Sequence, residues 1–224
     1  MTSSTKPPGL KTGIANPRCY AAALLDCTRE TDQEHYISKS LLGRLGKNFM
    51  ADGFPWIPRG TAKKLTNATM TAGVLCKRHN NALSPLDATI CKLYDALMSY
   101  HRGEKLHIEL DGEELERWAI KTLLGMLVSK NVRAFDGTKG ILDAVPDPYV
   151  KILFGIDEMP LNCGFYFTGI APPGSKPTGL SIAPRARGND DGTPGSIYAV
   201  DINRTATRWR CSSRFSRNGT SGAR

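Results

Sequence analysis

The chain contains no apolar run long enough to span a bilayer: Lys121 interrupts Trp118–Val128, the stretch that comes nearest. Its opening residues, Met-Thr-Ser-Ser-Thr-Lys-Pro-Pro-Gly-Leu, hold no apolar h-region, so no secretory signal is expected. The expected location is therefore cytoplasmic. Thiols stay reduced there, so paired cysteines read as metal ligands ahead of disulfides. No internal repeat is evident. Acid is also scarce where base is plentiful: Tyr36 to Asn80 carries Asp52 alone against Lys39, Arg44, Lys47, Arg59, Lys63, Lys64, Lys77 and Arg78.

What is present suits one or two globular domains with a core of their own. The chain has 224 residues, 40% hydrophobic and 23% charged, with a formal net charge of +9 and a pI near 9.3. Such a surplus favours an anionic partner. The sign reverses from Asn81 to Glu116, where eight acids face three bases, so the positive field is concentrated upstream. That basic stretch is expected to face phosphate, with DNA as the partner and Lys39, Arg44, Lys63, Lys64, Lys77 and Arg78 as contacts.

The expected architecture is α+β. Residues 1–17 read as a flexible basic arm and 18–130 as a compact module with a helical extension. Residues 131–202 read as a β-rich region and 203–224 as an Arg-rich flexible tail. Within the module, Glu34–Ile37 reads as a strand edge, and Ser38 as the cap of a helix over Lys39–Leu45 that Gly46 ends. Ser84 as cap, Pro85 in the first turn and Asp87 three after the cap predict a helix over Pro85–His101, with Asn80 and Asn81 just ahead of it. Leu106–Leu110 reads as a strand and Glu113–Ser129 as a second amphipathic helix. Downstream, β-like runs at Tyr149–Phe154, Gly164–Ile170, Gly179–Ile182 and Ser196–Ile202 predict a small antiparallel sheet. Phe54 and Trp56 read as aromatics that pin a loop to its core, with base stacking as the alternative. Cys91, His101, His107 and Trp118 have no partner motif and read as packing residues.

The chemistry concentrates in two segments. Cys76 and His79 form a Cys-x-x-His pair, a spacing that lets two side chains grip one ion across a tight turn. Together with Cys19 and Cys27 they supply three thiolates and one imidazole, a closed tetrahedral set for structural Zn²⁺. Such a site does no chemistry itself but would hold Glu34-His35 against Asn80. An imidazole at His35 can accept a proton from attacking water. A carboxylate and an amide, Glu34 and Asn80, can hold one divalent ion on a phosphate.

The run Cys…Cys…Glu-His-Tyr-Ile-Ser-Lys-Ser-Leu-Leu…Leu-Cys-Lys-Arg-His-Asn-Asn, over roughly Cys19–Asp87, resembles the zinc-stabilised HNH (ββα-metal) endonuclease family. The resemblance implies a zinc-containing ββα-metal module followed by helices and a small antiparallel β region. It implies hydrolysis of DNA phosphodiester bonds, with His35 as general base, Glu34 and Asn80 holding Mg²⁺ or another divalent cation, and Cys19, Cys27, Cys76 and His79 holding zinc. The chain departs from the family pattern in its widely spaced first cysteine pair, in His79 where a cysteine is usual, and in Thr71 at the usual middle asparagine. A catalytically inactive, zinc-containing nucleic-acid-binding module is the alternative.

Overall fold

A computed structural model describes residues 5–105, 107–132, 145–160, 164–170, 174, 180–186, 197–204 and 207–212. The architecture is α+β, built from small antiparallel sheets and helices. The elements that position the site are β1 (Thr31–His35), α1 (Lys39–Leu45), β2 (Asn48–Ala51), β3 (Lys63–Thr66), β4 (Thr71–Cys76), α2 (Lys77–Ala82), α3 (Ser84–His101) and α4 (Gly112–Val128). A short helix α5 (Asp147–Leu153) and strands β5 (Gly164–Ile170), β6 (Leu180–Ala186), β7 (Ile197–Arg204) and β8 (Thr207–Ser212) follow. No helix among the described residues is long and apolar enough to cross a membrane.

β1 and β4 pair antiparallel, with Thr31 opposite Cys76, Glu34 opposite Ala72 and His35 opposite Thr71. The register slips between Asp32 and Glu34, a bulge of the kind that re-aims side chains. β4 runs straight into α2, so hairpin and helix form one continuous ββα unit. Between the paired strands the chain makes α1 and a second hairpin, β2–β3, then a 3-10 turn at Asn67–Met70.

α4 is the central buried element. The Asp111 side chain caps it by accepting from the Glu113 and Glu114 backbone N–H groups, satisfying two donors that the first turn leaves free. Leu115, Trp118, Ala119, Leu124 and Leu127 are buried along its apolar face. Gly125 sits against Tyr36, the residue after β1.

Several elements differ from the sequence-based expectation. Tyr149–Phe154 is not a strand; it belongs to α5 and its C-cap. Pro148 presets a first helical turn, and Val150, Leu153 and Phe154 fall at helical spacing and are buried. His107–Leu110 has no regular structure; His107, Ile108 and Glu109 are exposed and no strand among the described residues pairs with them, and Leu106 lies outside the described residues. The tail expected to be flexible contains β8, which takes the interior of a four-stranded sheet, order β5-β8-β7-β6, and pairs with β5 and β7. Thr207, Trp209 and Cys211 alternate with more polar residues at strand period, a pattern masked by the arginines. Pro184 lies in β6, an edge strand, where a missing N–H is tolerated. The N-terminal arm is tied down: Asn16 bonds the Thr28 and Arg29 carbonyls, Thr12 bonds Asp26 and Cys27, and Thr5 and Asn16 are buried. Residues 213–224 of the expected tail lie outside the described residues.

Candidate metal centre and the adjoining polar site

Local backbone bonds build the cluster. Cys19 opens a turn, its N–H donating to Asn16 O and its carbonyl accepting from Ala22 N–H. Leu25 adopts a left-handed conformation, turning the chain back so that Cys27 N–H reaches Ile14 O. Cys76 ends β4 and His79 lies one turn into α2. The donor atoms of Cys19, Cys27, Cys76 and His79 all fall within 4.8 Å of one another, and all four residues are buried. His79 Nδ1 lies 3.4, 3.7 and 3.3 Å from the sulfurs of Cys19, Cys27 and Cys76.

The donor set fits a metal, and structural zinc in particular. Three buried thiols around one imidazole nitrogen satisfy each other poorly as hydrogen-bonding groups but are the ordinary ligands of tetrahedral Zn²⁺. Burial pushes the Cys19 and Cys27 thiols up. It would do the same to Cys76, but hydrogen bonds from the His79 and Thr28 backbone hold that thiol below its usual value. Burial lowers His79 to about 4, so its ring is neutral and able to ligate. His79 Nε2 is buried without a hydrogen-bond partner among the described residues; the Phe154 ring packs on the imidazole at 4.8 Å between centroids.

The catalytic candidates are less uniform. His35 ends β1 and is half-buried. Burial lowers its pKa, the Lys39 and Lys121 cations lower it further, and Asp87 and an Asn67 backbone hydrogen bond act the other way. Asn80 lies ahead of α3 as expected, but inside the short helix α2, and its Nδ2 donates to Asp32 Oδ2 at 3.0 Å. Glu34 is turned inward and buried, and its Oε1 lies 2.9 Å from the ammonium of Lys121 on α4. Lys121 also contacts Asp87 Oδ1 at 2.8 Å. Burial alone would lower the Lys121 pKa, but Glu34 and Asp87 more than offset it. The structure therefore brings Asn80 to Asp32, and Glu34 to Lys121.

The helix-start signals also do different work. Ser38 makes no side-chain cap; its hydroxyl donates to Asp87 and accepts from Trp118 Nε1 at 2.8 Å. Ser84 bonds back to the Asn81 carbonyl, and Asp87 serves Ser38 and Lys121. Asp32 and Lys121 had no expected role beside the site, and Asp87 was expected only as a helix-start residue. Lys121 carried a signal, a lone charge inside the otherwise apolar Trp118–Val128.

Of the six expected phosphate contacts, Lys39, Lys63, Lys64 and Lys77 are exposed. Arg44 instead forms a two-pronged pair with Asp95 at 2.8 and 2.7 Å, and Arg78 pairs with Asp26 at 2.9 Å behind the cysteine cluster. Phe54 is buried and stacks on Trp56 at 5.3 Å, which Asn131 holds through the indole N–H, so these aromatics anchor their loop. Comparison with protein families, curated proteins and solved structures finds no match.

Proposed function

We propose that the chain is a metal-dependent DNA endonuclease of the HNH type, its ββα unit held by zinc on Cys19, Cys27, Cys76 and His79. The observation that carries the reading is the position and state of His35. It ends the first strand of a hairpin stapled at its far end by the cysteine cluster, and its environment favours the neutral imidazole that a general base needs. In this reading His35 takes a proton from the water that attacks phosphorus. Asp32 and the Asn80 carbonyl are oxygen donors suited to a hard divalent cation, and Glu34 serves this only if Lys121 releases it. A cation held there would neutralise charge on the scissile phosphate. The exposed Lys39 and Lys77 flank the unit and would hold the backbone of the duplex.

The Glu34–Lys121 pair favours a second reading, a catalytically inactive zinc-containing module that binds nucleic acid, because it withdraws the carboxylate next to the base. One assay separates the two. Purified protein and its His35→Ala variant are incubated with supercoiled plasmid and Mg²⁺ or Mn²⁺. Nicking by wild type and a loss of at least about 100-fold in the variant, the usual worth of a general base, is the expected result. Equal nicking by both sinks the catalytic assignment. No cleavage alongside salt-sensitive binding leaves the binding module.

A further inference from the structure

The β2–β3 hairpin is a surface that neither the zinc cluster nor the His35 site uses. Its register places Asn48 opposite Thr66 and Met50 opposite Lys64 on one face, and Phe49 opposite Leu65 and Ala51 opposite Lys63 on the other. Directly opposed residues share a face, because side chains alternate along each strand. The inner face is packed: Leu65 is in the core, and Phe49 and Ala51 lie against it. The outer four are all exposed, Met50 at 64%. Phe54 and Ile57 of the connecting loop are buried, so the hairpin is pinned at its tip as well as along its inner face.

We propose that this hairpin is a β-ribbon that lies in the major groove of duplex DNA and reads base edges through Asn48, Met50, Lys64 and Thr66. The inference rests on the DNA part of the proposed function but not on its chemistry. Three observations carry it. The major groove admits a two-stranded ribbon without deforming the duplex, and each base pair shows there a distinct pattern of donors, acceptors and methyl, which the minor groove does not. The outward side chains are of the types that read base edges there. An amide suits adenine, an ammonium suits guanine, a hydroxyl suits either, and an exposed thioether suits the thymine methyl. The ribbon is also positively framed, with Lys47 and Arg59 exposed beside it and Lys63 over the Trp56 ring at 5.7 Å, against Asp52 alone. Met50 is exposed at the centre of this face, and the packed inner face with the buried Phe54 and Ile57 holds the ribbon in place, which lowers the ordering needed on binding.

Chain connectivity places the ribbon where it can direct cleavage. β3 leads through one 3-10 turn into Thr71, the residue paired with His35, and the same turn contributes the Asn67 backbone that bonds the imidazole. A ribbon seated in the groove would therefore set which phosphate meets His35.

The test uses the full chain without divalent ion, so that binding is read apart from cleavage. A duplex selected from a randomised pool is probed with dimethyl sulfate, which methylates guanine N7 in the major groove and adenine N3 in the minor groove. The expected result is protection of guanine N7 at the site. Asn48→Ala and Met50→Ala should each relax the base preference at one or two positions and leave the zinc content unchanged. Lys63→Gln, off the reading face, should lower the slope of log affinity against log salt by about one, whereas Lys64→Gln should relax the preference for guanine. Protection confined to adenine N3, tighter binding to the matching single strand, no binding, or an unaltered preference in both Asn48→Ala and Met50→Ala overturns the ribbon. Equal plasmid nicking by His35→Ala and wild type would instead defeat the nuclease reading and leave the ribbon standing.

Discussion

The Lys121 ammonium lies 2.9 Å from the Glu34 carboxylate, both side chains being almost completely buried, and it bridges from there to Asp87. One cation thus ties β1, α3 and α4 together, and Ser38 and Trp118 extend the network to the start of α1. Removing one member of a buried pair strands the other, at about 3–5 kcal/mol. Lys121→Met should therefore lower the melting temperature by about 6–20 °C, at roughly 2–4 °C per kcal/mol for a chain of this size. Adding Glu34→Gln to Lys121→Met should restore part of that loss, because the amide needs no counter-ion. Thermal unfolding of the two variants beside wild type decides it. A double variant no more stable than Lys121→Met would mean that Glu34 is not the stranded charge.

Zinc should be an obligate part of the fold. Binding to structural sites in small zinc domains is worth on the order of 10 kcal/mol, while whole proteins are stable by about 5–15 kcal/mol. The metal term is therefore as large as the total, and chelation should abolish cooperative unfolding. Elemental analysis should find one zinc per chain. His79→Cys should retain it as a four-thiolate site, whereas His79→Ala and Cys76→Ala should lose it and expose hydrophobic surface to a fluorescent dye. A zinc-free chain with a native melting curve would overturn the assignment.

The helices were the most legible part of this sequence. α1 has the expected bounds, α3 starts one residue early and α4 is shifted by one residue at both ends, because apolar spacing is local information. The four ligands converge as their residue types and spacing suggested. The partners of Glu34 and Asn80 were not legible, since both depend on contacts across long sequence separations: Glu34 meets Lys121 from α4, and Asn80 meets Asp32 across the β1–α2 junction. Ser84 and Asp87 carried a capping signature, but Ser84 bonds back to the Asn81 carbonyl and Asp87 is taken by the tertiary partners Ser38 and Lys121. α5 was hidden because Tyr-Val-Lys-Ile-Leu-Phe has β-favouring composition, and only burial on helical spacing distinguishes it.

The pH dependence of cleavage should report His35. Burial is the main cause that lowers its pKa from 6.5, with Lys39 and Lys121 adding to it. The neutral ring is the competent base, so activity appears as pH rises through the pKa. A lowered pKa moves that acid limb below 6.5. Lys39→Gln removes one lowering cause and should shift the limb back toward 6.5 by part of the gap. The readout is the midpoint of kcat/KM against pH, which loss of a DNA contact at Lys39 would not move by itself. A limb above 6.5, or one unmoved in Lys39→Gln, would exclude His35 as the titrating group.

Gly125 should be intolerant of even one methyl group. A Cβ there would lie 2.8 Å from Tyr36 Cβ and 3.1 Å from Tyr36 Cα. The second contact is with backbone, so a side-chain rotation cannot relieve it, and α4 must move away from the residue that follows His35. Two effects oppose each other in Gly125→Ala. Helix propensity favours alanine by about 1 kcal/mol, while overpacking in a buried contact costs about 1–3 kcal/mol. Because α4 also carries Lys121, its displacement would pull the ammonium from Glu34, which places the loss at the upper end of that range. The net expectation is a melting temperature lower by about 2–8 °C. It should come with a fall in nicking rate larger than that of an equally destabilised variant at Leu97, which lies on α3. A raised melting temperature would show that the close contact between α4 and Tyr36 relaxes without loss.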